Sequence, residues 1–316
     1  MKVGARNKMS VMCRMKKRQG FTLIELSLSI AFIATLSVAV TLVITNSIAA
    51  YHRGITLNQI NTTGMDIVDD IRTAVQSSTA LPVKGDCITV YANNDTVRNE
   101  CETDGGKNFV VVKRYASVKI GDKPIGDPVP VFGAFCSGKY SYVWNSGYFF
   151  SESGVTVSSS NGSPVSRATL KYSRNNDIVT ISDGKLLKVE DESRLVCKNA
   201  LKSNQGERYK YEKFGGISNE FDITGHALQE APVELLGKNV NLALYDLDSA
   251  TPAENDAENS LFYSMSFILG TLRGGANVNV SGEFCATPGS NSSVEDFDYC
   301  AINKFNFAAR TLGGKK

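Results

Sequence analysis

The chain has 316 residues, 42% hydrophobic and 21% charged, which is enough apolar residue to bury a core and too little charge for a disordered chain. The formal net charge of +2 is unevenly laid out. Lys2, Arg6, Lys8, Arg14, Lys16, Lys17 and Arg18 put seven basic residues and no acid into residues 1–20; taking those seven from 34 leaves 27 basic against 32 acidic residues, a net of −5, for 21–316. A broadly cationic surface, of the kind that displaces counterions from nucleic acid, is excluded.

The first predicted element follows the basic tail. After Glu25 no charge appears before His52 and Arg53, so Leu26 to Tyr51 is an uncharged run of 26 residues. As a helix it would span roughly 39 Å, more than a bilayer core of about 30 Å requires. Core helices of soluble domains seldom stay uncharged on every face for so long, and the pattern predicts a membrane span. Seven positive charges before it predict a cytoplasmic tail and place everything after residue 51 outside. The run is too long for an ordinary secretory signal, and no Ala-x-Ala type site precedes Tyr51.

The junction reads Lys17-Arg18-Gln19-Gly20-Phe21-Thr22-Leu23-Ile24-Glu25-Leu26. It resembles the prepilin processing site of the type IV filament superfamily, which comprises type IV pilins and the pseudopilins of type II secretion and competence. The pattern is a basic residue near a Gly, then Phe, Ser or Thr, Leu, an aliphatic residue and Glu, followed by a long apolar helix. The resemblance covers about 35 residues. The 20-residue leader is longer than many in the family, and the proline that kinks many pilin helices is absent between residues 21 and 80. The resemblance implies that a membrane prepilin peptidase cleaves between Gly20 and Phe21 and that Phe21 is N-methylated. The chemistry of the site is intelligible without the name. A carboxylate at Glu25, inside the apolar boundary, is costly in hydrocarbon unless partnered. Cleavage after Gly20 would create an α-amino group at Phe21, and in a stack of such helices Glu25 of one subunit can meet the Phe21 amine of its neighbour.

Beyond the span, Leu57, Ile60, Gly64, Ile67, Ile71 and Val75 recur at intervals of three or four, and Asn58, Asn61, Asp66, Asp69, Asp70, Arg72 and Gln76 occupy the other faces. This predicts that the helix continues to about Ser78 with one face against a globular body, bent near Gly54 and Gly64 and ended by Leu81-Pro82. Segments rich in β-branched and aromatic residues follow: Cys87–Ala92, Phe109–Val112, Tyr140–Trp144, Ala168–Tyr172, Asp177–Ser182, Lys185–Val189, Val240–Tyr245 and Leu261–Leu272. The last reads as a long central strand, and Asp183-Gly184 as a hairpin turn between its two neighbours. Residues 151–164 and 248–260 read as surface loops. The fold class is therefore α+β: a long N-terminal helix with a transmembrane and an amphipathic half, packed on a β-rich head, the lollipop of pilins. The divisions are 1–20 (cleaved leader), 21–51 (transmembrane or filament-core helix), 52–78 (amphipathic continuation) and 79–316 (head).

Cys13 lies in the leader. The other six cysteines, Cys87, Cys101, Cys136, Cys197, Cys285 and Cys300, fall in the exterior region, where an even count argues for disulfides. Six cysteines allow 15 connectivities, of which nearest-neighbour pairing (Cys87–Cys101, Cys136–Cys197, Cys285–Cys300) is the expectation. Zinc is disfavoured, because no two cysteines lie within four residues of each other and the only histidines are His52 and His226.

Catalytic patterns are thin. Ser182-Asp-Gly-Lys185 matches Ser-x-x-Lys but lies at an expected turn, and there is no phosphate-binding loop and no His-Glu-x-x-His. Asp246, Asp248, Glu254, Asp256 and Glu258 lack EF-hand spacing, and an acidic surface loop is preferred to a Ca²⁺ site. Tyr140, Tyr142, Trp144, Tyr148, Phe149 and Phe150 read as core. No catalytic residue, metal or cofactor is expected. The reading is a type IV pilus subunit, a minor pilin rather than a major one because its head is bulky. The spacing from the apolar run to Asp69-Asp70-Ile71-Arg72 also resembles minor pilins and larger pseudopilins of the PilW or GspJ type. The expected partners are the prepilin peptidase, other pilin subunits through the N-terminal helix, the cytoplasmic membrane, the pilus assembly platform and an unspecified surface ligand. Two alternatives stay open: a type II secretion or competence pseudopilin, and an uncleaved membrane-anchored enzyme or receptor.

Overall fold

A computed structural model describes residues 22–78, 87–91, 97–101, 111–121, 123–137, 139–151, 154–159, 162–192, 195–200, 209–212, 218–237, 241–250, 262–272, 278–279, 284–285 and 300–310. The chain divides into two compact units, Met1–Ala50 and Tyr51–Lys316. Helix α1 (Leu23–Ser77, 55 residues) runs through the division without a break. In the first unit every described side chain of the helix is exposed, including Leu28, Phe32, Leu36, Val40 and Ile44.

The second unit is a β-rich body with the C-terminal half of α1 against it. Its strands are β1 (Cys87–Tyr91), β2 (Val97–Cys101), β3 (Val111–Ile120), β4 (Lys123–Pro124), β5 (Val129–Cys136), β6 (Tyr140–Asn145), β7 (Val155–Ser158), β8 (Thr169–Arg174) and β9 (Asp177–Ile181). After β10 (Leu186–Glu190) comes the short helix α2 (Leu195–Ala200), then β11 (Tyr209–Glu212), β12 (Glu220–Ala227), β13 (Val233–Glu234), β14 (Leu242–Ala250), β15 (Phe262–Thr271), β16 (Val278–Asn279), β17 (Phe284–Cys285) and β18 (Ile302–Arg310). The central sheet runs β13-β10-β6-β5-β3-β4, with β7 also on β3, and all its pairs are antiparallel. A second antiparallel sheet runs β14-β15-β18, so the segment expected as a long central strand is β15. The sheet β12-β8-β9 has one parallel pair, β8 with β12.

Alternation along the strands divides the core in two. Phe135, Tyr142, Trp144 and Leu186 share one cluster with Ile60, Ile67, Val68, Ile71, Ala74 and Val75 of α1 and with Phe267, Phe305 and Phe307 of the second sheet. Their sequence neighbours Ala134, Cys136, Val143 and Leu187 join the other cluster, against Leu170, Val196 and Phe221. The helix face predicted from the sequence is the buried one from Ile60 to Val75. Leu57, expected on that face, is 38% exposed. Neither Gly54 nor Gly64 interrupts the helix. Gly64 instead admits a close neighbour, since a Cβ there would lie 2.1 Å from Phe305 Cζ, whereas Gly54 has nothing within 4 Å.

Polar contacts fix the helix to the sheets. Asp70 accepts hydrogen bonds from Tyr142 Oη (2.8 Å) and Lys188 Nζ (2.7 Å), and Lys188 Nζ also lies 4.4 Å from the Tyr140 ring centre. Asn303 donates to Asn61 (2.8 Å), and the Arg72 guanidinium lies 5.7 Å from the Phe307 ring centre. The helix closes where the Ser78 hydroxyl donates to the Ala74 carbonyl (2.6 Å).

Expectations about the turn and the loops are also corrected, the strand β14 reaching Ala250 inside the expected loop 248–260. The Asp183-Gly184 hairpin does not form: β9 pairs with β8, and β10 pairs with β6 and β13. The tight turn falls at Asn175-Asn176, whose φ angles of 52° and 66° suit a two-residue hairpin loop that asparagine tolerates. Gly184 packs instead against Leu187, and its carbonyl accepts from Asn145 Nδ2 (2.9 Å). Residues 151–164 are not purely loop, because Val155–Ser158 adds β7 to the end of β3.

Candidate functional site

The site singled out by the sequence begins at the N-terminus of α1. Gly20 and Phe21, the expected processing pair, lie outside the described residues, as does Cys13. Thr22 and Glu25 are described, and they form a reciprocal cap. The Thr22 N–H and hydroxyl both donate to Glu25 Oε2 at 3.1 Å, while the Glu25 N–H donates to Thr22 Oγ1 at 3.3 Å. This is the Ser/Thr-x-x-Glu capping box, which satisfies amide donors that a helix start leaves orphaned. Thr22 acquires a role the sequence reading had not given it, although Thr-x-x-Glu before an apolar run is its signature. Glu25 itself is exposed.

Six hydroxyls of the apolar length that follows are bonded within the helix. The hydroxyls of Ser27, Ser29, Thr35, Thr41, Thr45 and Ser47 each donate to a backbone carbonyl three or four residues earlier, at 2.8–3.0 Å. A hydroxyl bonded in this way presents no unsatisfied donor to hydrocarbon, where each would cost several kcal/mol. This helix is long and apolar enough to cross a membrane, and none of its most apolar window is buried within the molecule. Tyr51, His52 and Arg53 end the apolar run, a polar-aromatic set suited to a headgroup boundary.

Among the described residues two disulfides close: Cys136–Cys197, with Cα atoms 6.3 Å apart, and Cys285–Cys300, 6.0 Å apart. Asp191 prepares the first. Its carboxylate accepts from the Ser141 hydroxyl (2.7 Å) and from the N–H groups of Leu195 (2.8 Å) and Val196 (3.0 Å), starting α2 where Cys197 can meet β5. Cys87 and Cys101 stand directly opposite one another in the β1–β2 register.

Of the acidic cluster, Asp246 and Asp248 are described. Glu254, Asp256 and Glu258 lie outside the described residues. Asp246 and Asp248 turn to one amine, Lys113 Nζ, at 2.7 and 3.4 Å. Lys113 is only 4% exposed. Burial pushes the Asp246 carboxyl above its usual range, against the pull of Lys113, and burial with these carboxylates pushes Tyr115 up to about 12. Among the described residues no three His, Cys, Asp or Glu side chains gather as a metal site. Tyr142, Trp144 and Tyr148 are core residues, while Tyr140, Phe149 and Phe150 are half-buried. His226 is exposed on β12, and Ser182-Asp-Gly-Lys185 lies between β9 and β10.

Compared with protein families, with curated proteins and with solved structures, the chain matches none. What stands on the structure alone is one long apolar N-terminal helix followed by a disulfide-containing, largely antiparallel β-rich region.

Proposed function

We propose that this chain is a type IV pilin-like subunit, a minor pilin, that is cleaved between Gly20 and Phe21, methylated at Phe21 and assembled into a surface filament through its N-terminal helix. The observation that carries the reading is the joining of two features at one place. The prepilin-like junction at residues 17–26 leads directly into an apolar helix whose described side chains are uncovered through residue 50 and of whose hydroxyls six are bonded within the helix. Such a surface suits lipid before assembly and neighbouring helices after it. Small and hydroxyl residues, Ser27, Ser29, Ala31, Ala34, Ser37 and Ala39, permit close approach of helices.

Glu25 has two duties in this reading. Within the subunit its carboxylate is satisfied by Thr22. In the filament it compensates the new α-amine at Phe21 of an adjacent copy, a pair that neither charge could do without among packed apolar helices. The peptidase, the assembly platform and the other subunits are the partners this chemistry needs.

The deciding measurement is the N-terminal sequence and mass of the protein from its native cells. A mature chain beginning with a methylated Phe21 is the expected result. A chain that keeps Met1, or one cut beyond Tyr51, would overturn the proposal in favour of a membrane-anchored enzyme or receptor.

A further inference from the structure

Lys113 and Asp246 belong to different sheets and stand 133 positions apart in the chain, yet Lys113 Nζ lies 2.7 Å from Asp246 Oδ1. Two features of the backbone and its surroundings make the contact unlike a surface ion pair. First, β14 carries a bulge between Leu244 and Asp246. Simple alternation from Leu242 and Leu244 would send residue 246 into the helix-facing core; the extra residue gives that place to Leu247 and re-aims Asp246 toward Lys113. Second, the amine is almost wholly sequestered, its side chain 5% exposed, while a second carboxylate, Asp248, stands 3.4 Å from the same nitrogen with its side chain 60% exposed.

We propose that in the mature protein Lys113 and Asp246 are joined by an intramolecular amide bond, an isopeptide cross-link between the two sheets. As the proton moves from Nζ to the Asp246 carboxylate, the pair becomes a neutral amine beside a neutral acid. The Nζ lone pair attacks Asp246 Cγ and forms the C–N bond. Asp248 takes the remaining surplus proton from the nitrogen and passes it to the departing Asp246 hydroxyl, whose bond to Cγ breaks. One water leaves, Asp248 is regenerated as a carboxylate, and no oxidant or cofactor enters. The raised Asp246 carboxyl favours the neutral acid that the attack requires. Fixing amine and acid in one place replaces a bimolecular encounter by a unimolecular step, for which effective molarities reach roughly 10⁵–10⁸ M in well-oriented cases. Condensation also removes two poorly solvated charges. The inference concerns the β-rich body and is independent of the filament reading.

The test uses the full-length protein, reduced, alkylated and digested with trypsin. The cross-link predicts that residues 108–114 and 239–273 are recovered as one branched species, short of their summed mass by one water, with no cleavage after residue 113. Lys113→Arg keeps a cation beside Asp246 but cannot form this amide, so the branched species should fall below detection while the thermal unfolding transition persists. Recovery of 108–113 and 239–273 as separate peptides from the wild-type protein would show an ordinary ion pair and overturn the proposal.

Discussion

The ring of Phe305 occupies the space that a side chain at residue 64 would need: a Cβ placed on Gly64 would stand 2.1 Å from Phe305 Cζ and 2.5 Å from its two neighbouring ring carbons. A residue of the C-terminal strand thus reads a glycine on the N-terminal helix, 241 positions away in the sequence. Gly64→Ala should therefore lower stability by about 1–3 kcal/mol through overpacking. Gly54→Ala, in open space on the same helix, should be neutral or raise it by up to about 1 kcal/mol. Thermal unfolding of the two variants in detergent checks the contrast, and equal effects would count against the Phe305 contact as the cause.

Glu25→Gln separates the two duties assigned to that residue. Glutamine at this position can still accept from the Thr22 amide, so the capping box and the helix should survive. The negative charge is gone, so incorporation into filaments should fall at least tenfold while the membrane-bound, processed subunit persists. Quantitative immunoblotting of sheared filaments against membranes reads the ratio; an unchanged ratio would reduce Glu25 to a cap alone.

Asp70 holds the helix to the central sheet through Tyr142, which is fully buried, and Lys188, which is partly buried. Asp70→Ala leaves a sequestered hydroxyl and amine without their acceptor and should cost about 2–3 kcal/mol. A double-mutant cycle with Lys188→Ala, read by denaturant unfolding, should show a coupling of about 1 kcal/mol or more between the two. Additive losses would mean that the pair is not energetically linked.

Alkaline conditions should destabilise the fold. Tyr115 is pushed from its usual 10 up to about 12, chiefly by burial and then by Asp246 and Asp248. The folded state therefore keeps the Tyr115 proton more tightly than the unfolded one. Its contribution is fully present below pH 10 and is lost as pH rises from about 10 to 12. Burial raises Tyr142 and Tyr245 as well, in the same direction. Tyr115→Phe should recover up to about 1 kcal/mol of the loss between pH 9 and pH 11, the partial exposure of the ring reducing the full linkage value. Melting curves at those two pH values test this, and a wild-type slope retained by the variant would exclude Tyr115 as a contributor.

Reduction should act through the longer covalent loop. Cys136–Cys197 spans 61 positions and Cys285–Cys300 spans 15. In the chain-entropy description these loops are worth about 4 and about 3 kcal/mol respectively. The pair Cys136→Ser and Cys197→Ser should therefore lower stability more than Cys285→Ser with Cys300→Ser. Unfolding of both double variants under oxidising conditions gives the order, and a reversed order would show that native-state packing outweighs loop length.

The sequence by itself determined the local features. Leu26 to Tyr51 is apolar on every face, Thr22 and Glu25 stand at capping-box spacing, and the stripe from Ile60 to Val75 repeats at the helical period; each is a property of residues within a few positions of one another. Eight of the eighteen described strands were legible for the same reason, as short β-branched and aromatic runs, whereas β5, β12 and β18 were among those that were not. The hairpin was misplaced because Asp183-Gly184 and Asn175-Asn176 are both turn-formers, and local chemistry could not say which flanking strands would pair. That choice was made by distant partners: β6 takes β10, and Asn145 claims the Gly184 carbonyl. Only the tertiary structure could bring Phe305 onto Gly64, Asp70 between Tyr142 and Lys188, or Asp246 onto Lys113. In each case the partners come from segments far apart in the chain, and their meeting depends on strand order, on a bulge and on which helix face is buried. Spacing along the chain encodes period and capping. Contact between remote side chains is set by how the sheets stack, because that alone fixes which alternating faces meet.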